Sequence, residues 1–144
     1  MKESLKIVGN VKIHRNGILV LEKKNLVVTS GLNYITERMK EDTVTPISHI
    51  GIGTGATAAD PADVALGTPV GARKAVTTVT VTGAALEIVA TFDGATYNSA
   101  GLREAGIFND VAAGTMISRI VFASTPLPTT DSLQITWTLT LANA

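Results

Sequence analysis

Hydrophobic and polar positions in this chain alternate far more often than they recur at helical spacing. The clearest run is Ser132 to Leu141, where Leu133, Ile135, Trp137, Leu139 and Leu141 interleave with Gln134, Thr136, Thr138 and Thr140. Side chains on a strand point to opposite faces with a period of two, so this segment has one apolar face and one threonine face. A helix would spread the same residues around its circumference, and β-branched threonines favour the extended form. The only tryptophan lies on the apolar face. The pattern predicts a central core strand against which the rest of the chain packs.

The remaining elements follow in order. Leu5 to Ile13 reads as a strand interrupted at Gly9-Asn10. Asn16-Gly17 signals a two-residue hairpin, because both residues tolerate positive φ, and Ile18 to Leu21 is the returning strand. After the short strand Asn25 to Val28, Leu32, Ile35 and Met39 recur at three-and-four spacing. They predict the single helix, about residues 30–41, capped by Thr29 or Ser30 and stopped by Thr45-Pro46. Ile47 to Gly55 sets isoleucines between glycines, as in a strand that bulges or that another segment approaches closely. Residues 56–69 carry Ala, Asp, Pro and Gly with no strand signal, and a loop that long in a compact domain is usually functional or mobile.

From Ala75 the pattern is β again. Val79 and Val81 share a face, Gly83 turns the chain into Leu86 to Phe92, and further strands are expected at Leu102–Asn109 and Met116–Phe122. Gly94 to Gly101 is a turn-rich connection, and Thr125 to Asp131 reads as an exposed, proline-stiffened link. About eight or nine short strands with one helix predict a mainly β fold, an antiparallel β-sandwich or jelly roll.

Composition narrows this further. A length of 144 residues predicts one domain, residues 1–144. Aromatics make up only 4%, so the core is aliphatic. Charged residues stand at 17% against about 25% in typical domains, a weakly charged surface that is commoner in assembly components. The absence of cysteine excludes a disulfide framework and thiolate chemistry. No apolar run approaches the ~20 residues of a membrane span, and Met1 to Lys6 lacks the apolar core of a signal peptide. Neither a membrane partner nor secretion by that route is expected.

A net charge of zero conceals an uneven distribution. Residues 1–24 hold Lys2, Lys6, Lys12, Arg15, Lys23 and Lys24 against Glu3 and Glu22, six basic residues and two acidic. This segment reads as a basic N-terminal arm or hairpin suited to an acidic partner or to nucleic acid. Edge-strand lysines that discourage aggregation are the simpler alternative. As an arm, its residues 1–15 are expected to be dispensable for the folding of the body from Asn25 onward.

Candidate chemistry is sparse. His14 and His49, with Asp60 or Asp63, show no ligand spacing, so no metal is expected. No Gly-x-Ser-x-Gly elbow occurs. Paired-carboxylate catalysis would need two of Glu87, Asp93 and Glu104 to converge in a cleft, and Glu87 and Asp93 fall on the polar phase of their strand. Gly51-Ile-Gly-Thr-Gly55 invites comparison with phosphate loops. It lacks their Lys-Ser/Thr and no helix follows it, so packing explains the glycines better than a nucleotide does. Arg103-Glu104 interrupts an apolar strand. Adjacent residues point to opposite faces, so one of the two is buried or at an interface and needs a partner charge.

Several of these segments carry a resemblance. Asn25-Leu-Val-Val-Thr-Ser-Gly-Leu-Asn-Tyr-Ile, Ile47-Ser-His-Ile-Gly-Ile-Gly-Thr-Gly, Leu102-Arg-Glu-Ala-Gly-Ile-Phe-Asn, Gly114-Thr-Met-Ile-Ser-Arg and Asp131-Ser-Leu-Gln-Ile-Thr-Trp-Thr-Leu are similar to a family of small virion proteins of tailed bacteriophages. Members of that family are described as tail-fibre-like or as head decoration or cement proteins. The resemblance leaves the first residues of the chain outside it. It implies a structural protein and not an enzyme, with no catalytic, cofactor-binding or metal-binding residues to carry over. The role it suggests first is a capsid decoration or cement protein. Such a protein is a homo-oligomer on the outer surface of the head, bound to the major capsid protein and made in the host cytoplasm. The alternative is a tail-fibre, baseplate or adsorption component contacting tail proteins or a host receptor. The chain has no long repetitive shaft, which favours the head. The residues expected at the partner interface are Lys2, Lys6, Lys12, Arg15, Arg103 and Glu104, and a nucleic-acid partner is not expected.

Overall fold

The computed structural model describes residues 4–40 and 43–143. In chain order its elements are β1 (Leu5–Arg15), β2 (Ile18–Val27), α1 (Thr29–Lys40), β3 (His49–Gly53), β4 (Lys74–Ala75), β5 (Thr78–Thr82), β6 (Ala85–Asp93), α2 (Gly94–Tyr97), β7 (Ser99–Phe108), β8 (Met116–Leu127) and β9 (Ser132–Asn143). The fold is mainly β. All nine strands join one curled antiparallel sheet in the order β4-β3-β7-β8-β2-β1-β9-β6-β5. The curl is made at β2, which pairs with β1 from Ile18 to Asn25 and with β8 only at Leu26 and Val27.

Within the half β2-β1-β9-β6-β5, the threonine-faced strand β9 is the middle one, as its alternation predicts. Opposed residues on neighbouring strands share a face, and one such row runs Val79, Ile88, Trp137, Val11. Trp137, Ile88 and Val11 are fully buried. Ile50, Ile52, Ile107 and Ile120 from the other half belong to the same apolar cluster. Because the inward residues come from both halves, one continuous core lies inside the curl.

The hairpin turn is the predicted one. Asn16 and Gly17 adopt φ of 50° and 80°, and Arg15 opposes Ile18. The strand before it runs through Gly9-Asn10 without a break, since Gly9 lets the Asn25 side chain lie against its backbone where a Cβ would collide. This hairpin is not an appendage. β1 sits between β2 and β9, pairs with β9 from Leu5 to Arg15, and buries Val11 and Ile13 completely. The expectation that the body folds without residues 1–15 is therefore overturned, because those residues include a central strand.

The helix also turns a different face inward. Gly31 and Tyr34 are its buried residues, while Leu32 and Met39 are exposed and Ile35 is partly covered. Gly31 decides this, because it lies against the Ile117 carbonyl so closely that any Cβ would clash. Ser30 does not cap the helix. Its hydroxyl donates to the Met116 carbonyl at 2.9 Å, while the Gly31 and Leu32 amides donate to the Val28 carbonyl. Helices this short depend on packing, and packing rather than periodicity chose the face. Val79 and Val81 share a face as expected, and both are exposed at the sheet edge. Two further expectations change. β8 extends through the supposed link to a fully buried Leu127. A short second helix, α2, follows Asp93, whose carboxylate accepts from the Thr96 amide.

Candidate functional site

Strand β3 alternates Ile50-Gly51-Ile52-Gly53, and the two faces have different uses. The isoleucines point into the main core. The glycines face the other way, opposite Gly106 and Glu104 of β7. On this outer face lies the segment from Thr54 to Pro69. Its ends are pinned together: the Thr54 amide donates to the Thr68 carbonyl at 2.9 Å and the Val70 amide to the Ile52 carbonyl at 2.8 Å. The segment is thus a closed surface loop that packs against its own base. Leu66 plugs it into a small apolar cluster with Val28, Phe108 and Met116. Glycine at 51, 53 and 106 gives the loop room, since a Cβ at 51 or 106 would lie 3.1 Å from Leu66 and one at 53 would strike the Thr68 carbonyl.

At the centre of this face is Glu104, 0% exposed. Its Oε1 accepts from the amides of Thr68 at 2.7 Å and Gly55 at 3.1 Å. Its Oε2 accepts from the Gly67 amide at 2.9 Å and from Arg119 Nε and Nη2 at 3.0 and 2.8 Å. Arg119, on β8, opposes Gly106, so Glu104 is its diagonal neighbour on the same face. The guanidinium also donates to Asp63 Oδ2 at 2.8 Å and to the Thr57 carbonyl at 3.1 Å. Asp63 Oδ2 accepts from the Asp60 amide as well. A buried carboxylate and a buried guanidinium therefore hold the loop at five places: Gly55, Thr57, Asp63, Gly67 and Thr68.

The charges are consistent with this arrangement. Burial pushes Glu104 up, but the Thr68 and Gly67 amides and Arg119 outweigh it and leave the carboxyl below its ordinary range. Burial pulls Arg119 down, and Glu104 and Asp63 together raise it above its ordinary value. Asp63 is held low first by the Asp60 amide and then by Arg119. The glycine-rich run that resembles a phosphate loop does form part of an anion cradle, and the anion is the chain's own Glu104.

The expected interface residues are dispersed. Lys6 and Lys12 are exposed on β1, and Lys12 lies 3.6 Å from Glu22 across the hairpin. Arg15 is turned toward the β8–β9 turn, 3.8 Å from Asp131 and donating to the Pro126 carbonyl. Arg103 is exposed on β7, with β8 and β2 between it and β1. Glu104 has both oxygens engaged inside the chain. Lys2 lies outside the described residues. The expectation that one of Arg103 and Glu104 is buried with a partner charge holds, but the sequence reading missed that partner, Arg119, and Asp63 beside it. A signal for it exists: Arg119 interrupts the apolar run Met116 to Phe122 just as Glu104 interrupts Leu102 to Phe108.

A second feature is an apolar cleft of about 410 Å³ between α1 and the first half of the sheet, lined by Tyr34, Ile35, Met39, Leu86, Leu139 and Leu141 among others. Of the carboxylates weighed for catalysis, Glu87 and Asp93 are exposed on β6 and Glu104 is sealed on the other half. They do not converge. His49 Nδ1 lies 2.7 Å from Ser48 Oγ. Among the described residues no three His, Asp or Glu side chains are grouped to hold a metal ion, and no helix is long and apolar enough to cross a membrane.

Comparison with protein-family profiles, curated proteins and solved structures returned no match.

Proposed function

We propose that this chain is a structural virion protein of a tailed bacteriophage, a decoration or cement protein that binds the major capsid protein on the outside of the assembled head. The two halves of its curled sheet, facing one another across one core, serve in this reading as a sandwich-type body. The observation that carries the proposal is the β1–β2 hairpin. Its tip presents Ile18, Leu19 and Val20 in succession, all exposed, with Ile18 at 69%. The basic residues Lys6, Lys12, Lys23 and Lys24 are exposed along the same two strands. Beyond Arg15 and Ile18 the tip is a rigid two-residue turn, so the apolar residues are presented at little cost in ordering. An apolar end on a hairpin that carries exposed lysines along its length suits an acidic, partly apolar partner surface, and the charges add salt-sensitive steering. The loop that looks most available for chemistry is instead closed by Glu104 and Arg119, which suits a rigid assembly component.

Copy number and attachment test this. Purified virions are expected to contain hundreds of copies, read from quantified gel bands. Co-sedimentation with heads lacking the protein should be strong at low salt and weaken at high salt. Lys6→Glu with Lys12→Glu should weaken it further while thermal unfolding stays near wild type. A handful of copies per particle would move the protein to the tail, and attachment unaffected by both salt and charge reversal would overturn the role given to the hairpin.

A further inference from the structure

The two ends of the strand order are built differently. At one end β4 is Lys74-Ala75, two residues including a lysine, the short and charged form that discourages edge pairing. At the other end β5 is Thr78-Val79-Thr80-Val81-Thr82, with no charge, proline or glycine, and every residue is exposed. It pairs with β6 alone. Val79 and Val81, 46% and 72% exposed, oppose Ile88 and Leu86 and so continue the inward apolar face past the last covered strand. Val79 also lines the apolar cleft beside α1. An uncharged edge with apolar side chains on one face is a template for another strand.

We propose that β5 is the seam of a two-fold homodimer in which two copies of this edge pair antiparallel about Thr80. The segment reads the same in both directions. Antiparallel pairing about its middle residue sets Thr78 of one copy against Thr82 of the other, Val79 against Val81, and Thr80 against itself. A two-fold interface requires such self-complementarity, and a foreign strand would not. The four valines then lie on one face and join the cleft of one copy to that of the other, while the threonines meet on the opposite face. Glu87 opposes Thr80 on that polar face. Its twin stands three strand spacings away, about 14 Å, beyond the screening length of roughly 8 Å at physiological salt. Charge therefore does not oppose the pairing. Five residues of edge make a small contact compared with the roughly 1,200–2,000 Å² of a standard interface, so the dimer is reversible and fills with rising concentration. This inference does not depend on the virion reading.

The test uses the full chain, which contains no cysteine. By light scattering over a concentration series, the average mass should rise toward twice that of one chain, and Val81→Lys should hold it at one chain with thermal unfolding unchanged. Under mild oxidation Thr80→Cys should cross-link into dimers about tenfold faster than Thr78→Cys. Residue 80 faces itself within the roughly 4.4–6.8 Å Cα span of a disulfide, whereas residue 78 is offset from its twin by about 13 Å. A chain that stays monomeric throughout, an oligomer that survives Val81→Lys, or equal cross-linking of the two cysteine variants overturns the proposal.

Discussion

Replacing Glu104 with glutamine probes the loop clamp with almost no change of shape. The carboxylate accepts three backbone amides and two guanidinium bonds. An amide has one accepting oxygen. If that oxygen serves Thr68 and Gly55, the new NH₂ group points at the Gly67 amide and at Arg119, donor against donor; the flipped amide reverses the conflict. Arg119 is left with Asp63 as its only carboxylate. Removing one member of a buried, hydrogen-bonded ion pair costs about 3–5 kcal/mol, and Glu104→Gln should lie in that range. The measurement is urea unfolding followed by the fluorescence of Trp137, the only tryptophan, with stability taken from the midpoint at constant slope. Arg119→Met should cost a similar amount. The double variant should fall short of the sum by roughly 0.5–3 kcal/mol, because either change alone already disrupts the pair.

The pH dependence gives a second reading of the same variant. Glu104 titrates below its ordinary value in the folded chain, so the unfolded chain takes up its proton first as pH falls. The stability this group contributes is complete above its unfolded pKa of about 4.3 and is lost as pH drops through the lower folded value. The gap between wild type and Glu104→Gln should therefore narrow on acidification and not widen. Amide exchange at Gly67 and Thr68 should be slow in the wild type and fast in the variant. A neutral-pH cost under about 1 kcal/mol, or a gap that stays constant into strong acid, would refute the assignment of Glu104 as the charge that holds the loop.

Two other outcomes follow from the sheet and the helix. Trp137→Ala should cost about 3–5 kcal/mol as a fully buried aromatic, and Thr138→Ala, on the opposite and half-buried face, well under one; comparable melting shifts would contradict the facing of β9. Gly31→Ala should destabilise the chain although alanine is the better helix former, because its Cβ meets the Ile117 carbonyl; a gain in melting temperature would show that α1 docks elsewhere.

Much of the fold was legible in the residues. The threonine–aliphatic alternation placed β9 in the middle of its half-sheet, Asn16-Gly17 located the hairpin, and the glycines of β3 announced a close approach. These are local signals, written in a period of two or in the φ that a turn demands, and they survive any tertiary arrangement. Three features were not legible. The N-terminal segment read as a basic arm because its lysines were visible and its partner strand β9, more than a hundred residues away, was not. The helix read by its bulky residues, whereas a glycine against a carbonyl decided its docking. The buried pair read as one charge without a mate, because Glu104 and Arg119 lie on different strands and Asp63 comes from a loop with no periodicity. Local patterning sets which face of an element is apolar. Which element covers that face, and which distant charge answers a buried one, is settled only when the sheet closes, since burial and Coulomb attraction depend on distance in space and not along the chain.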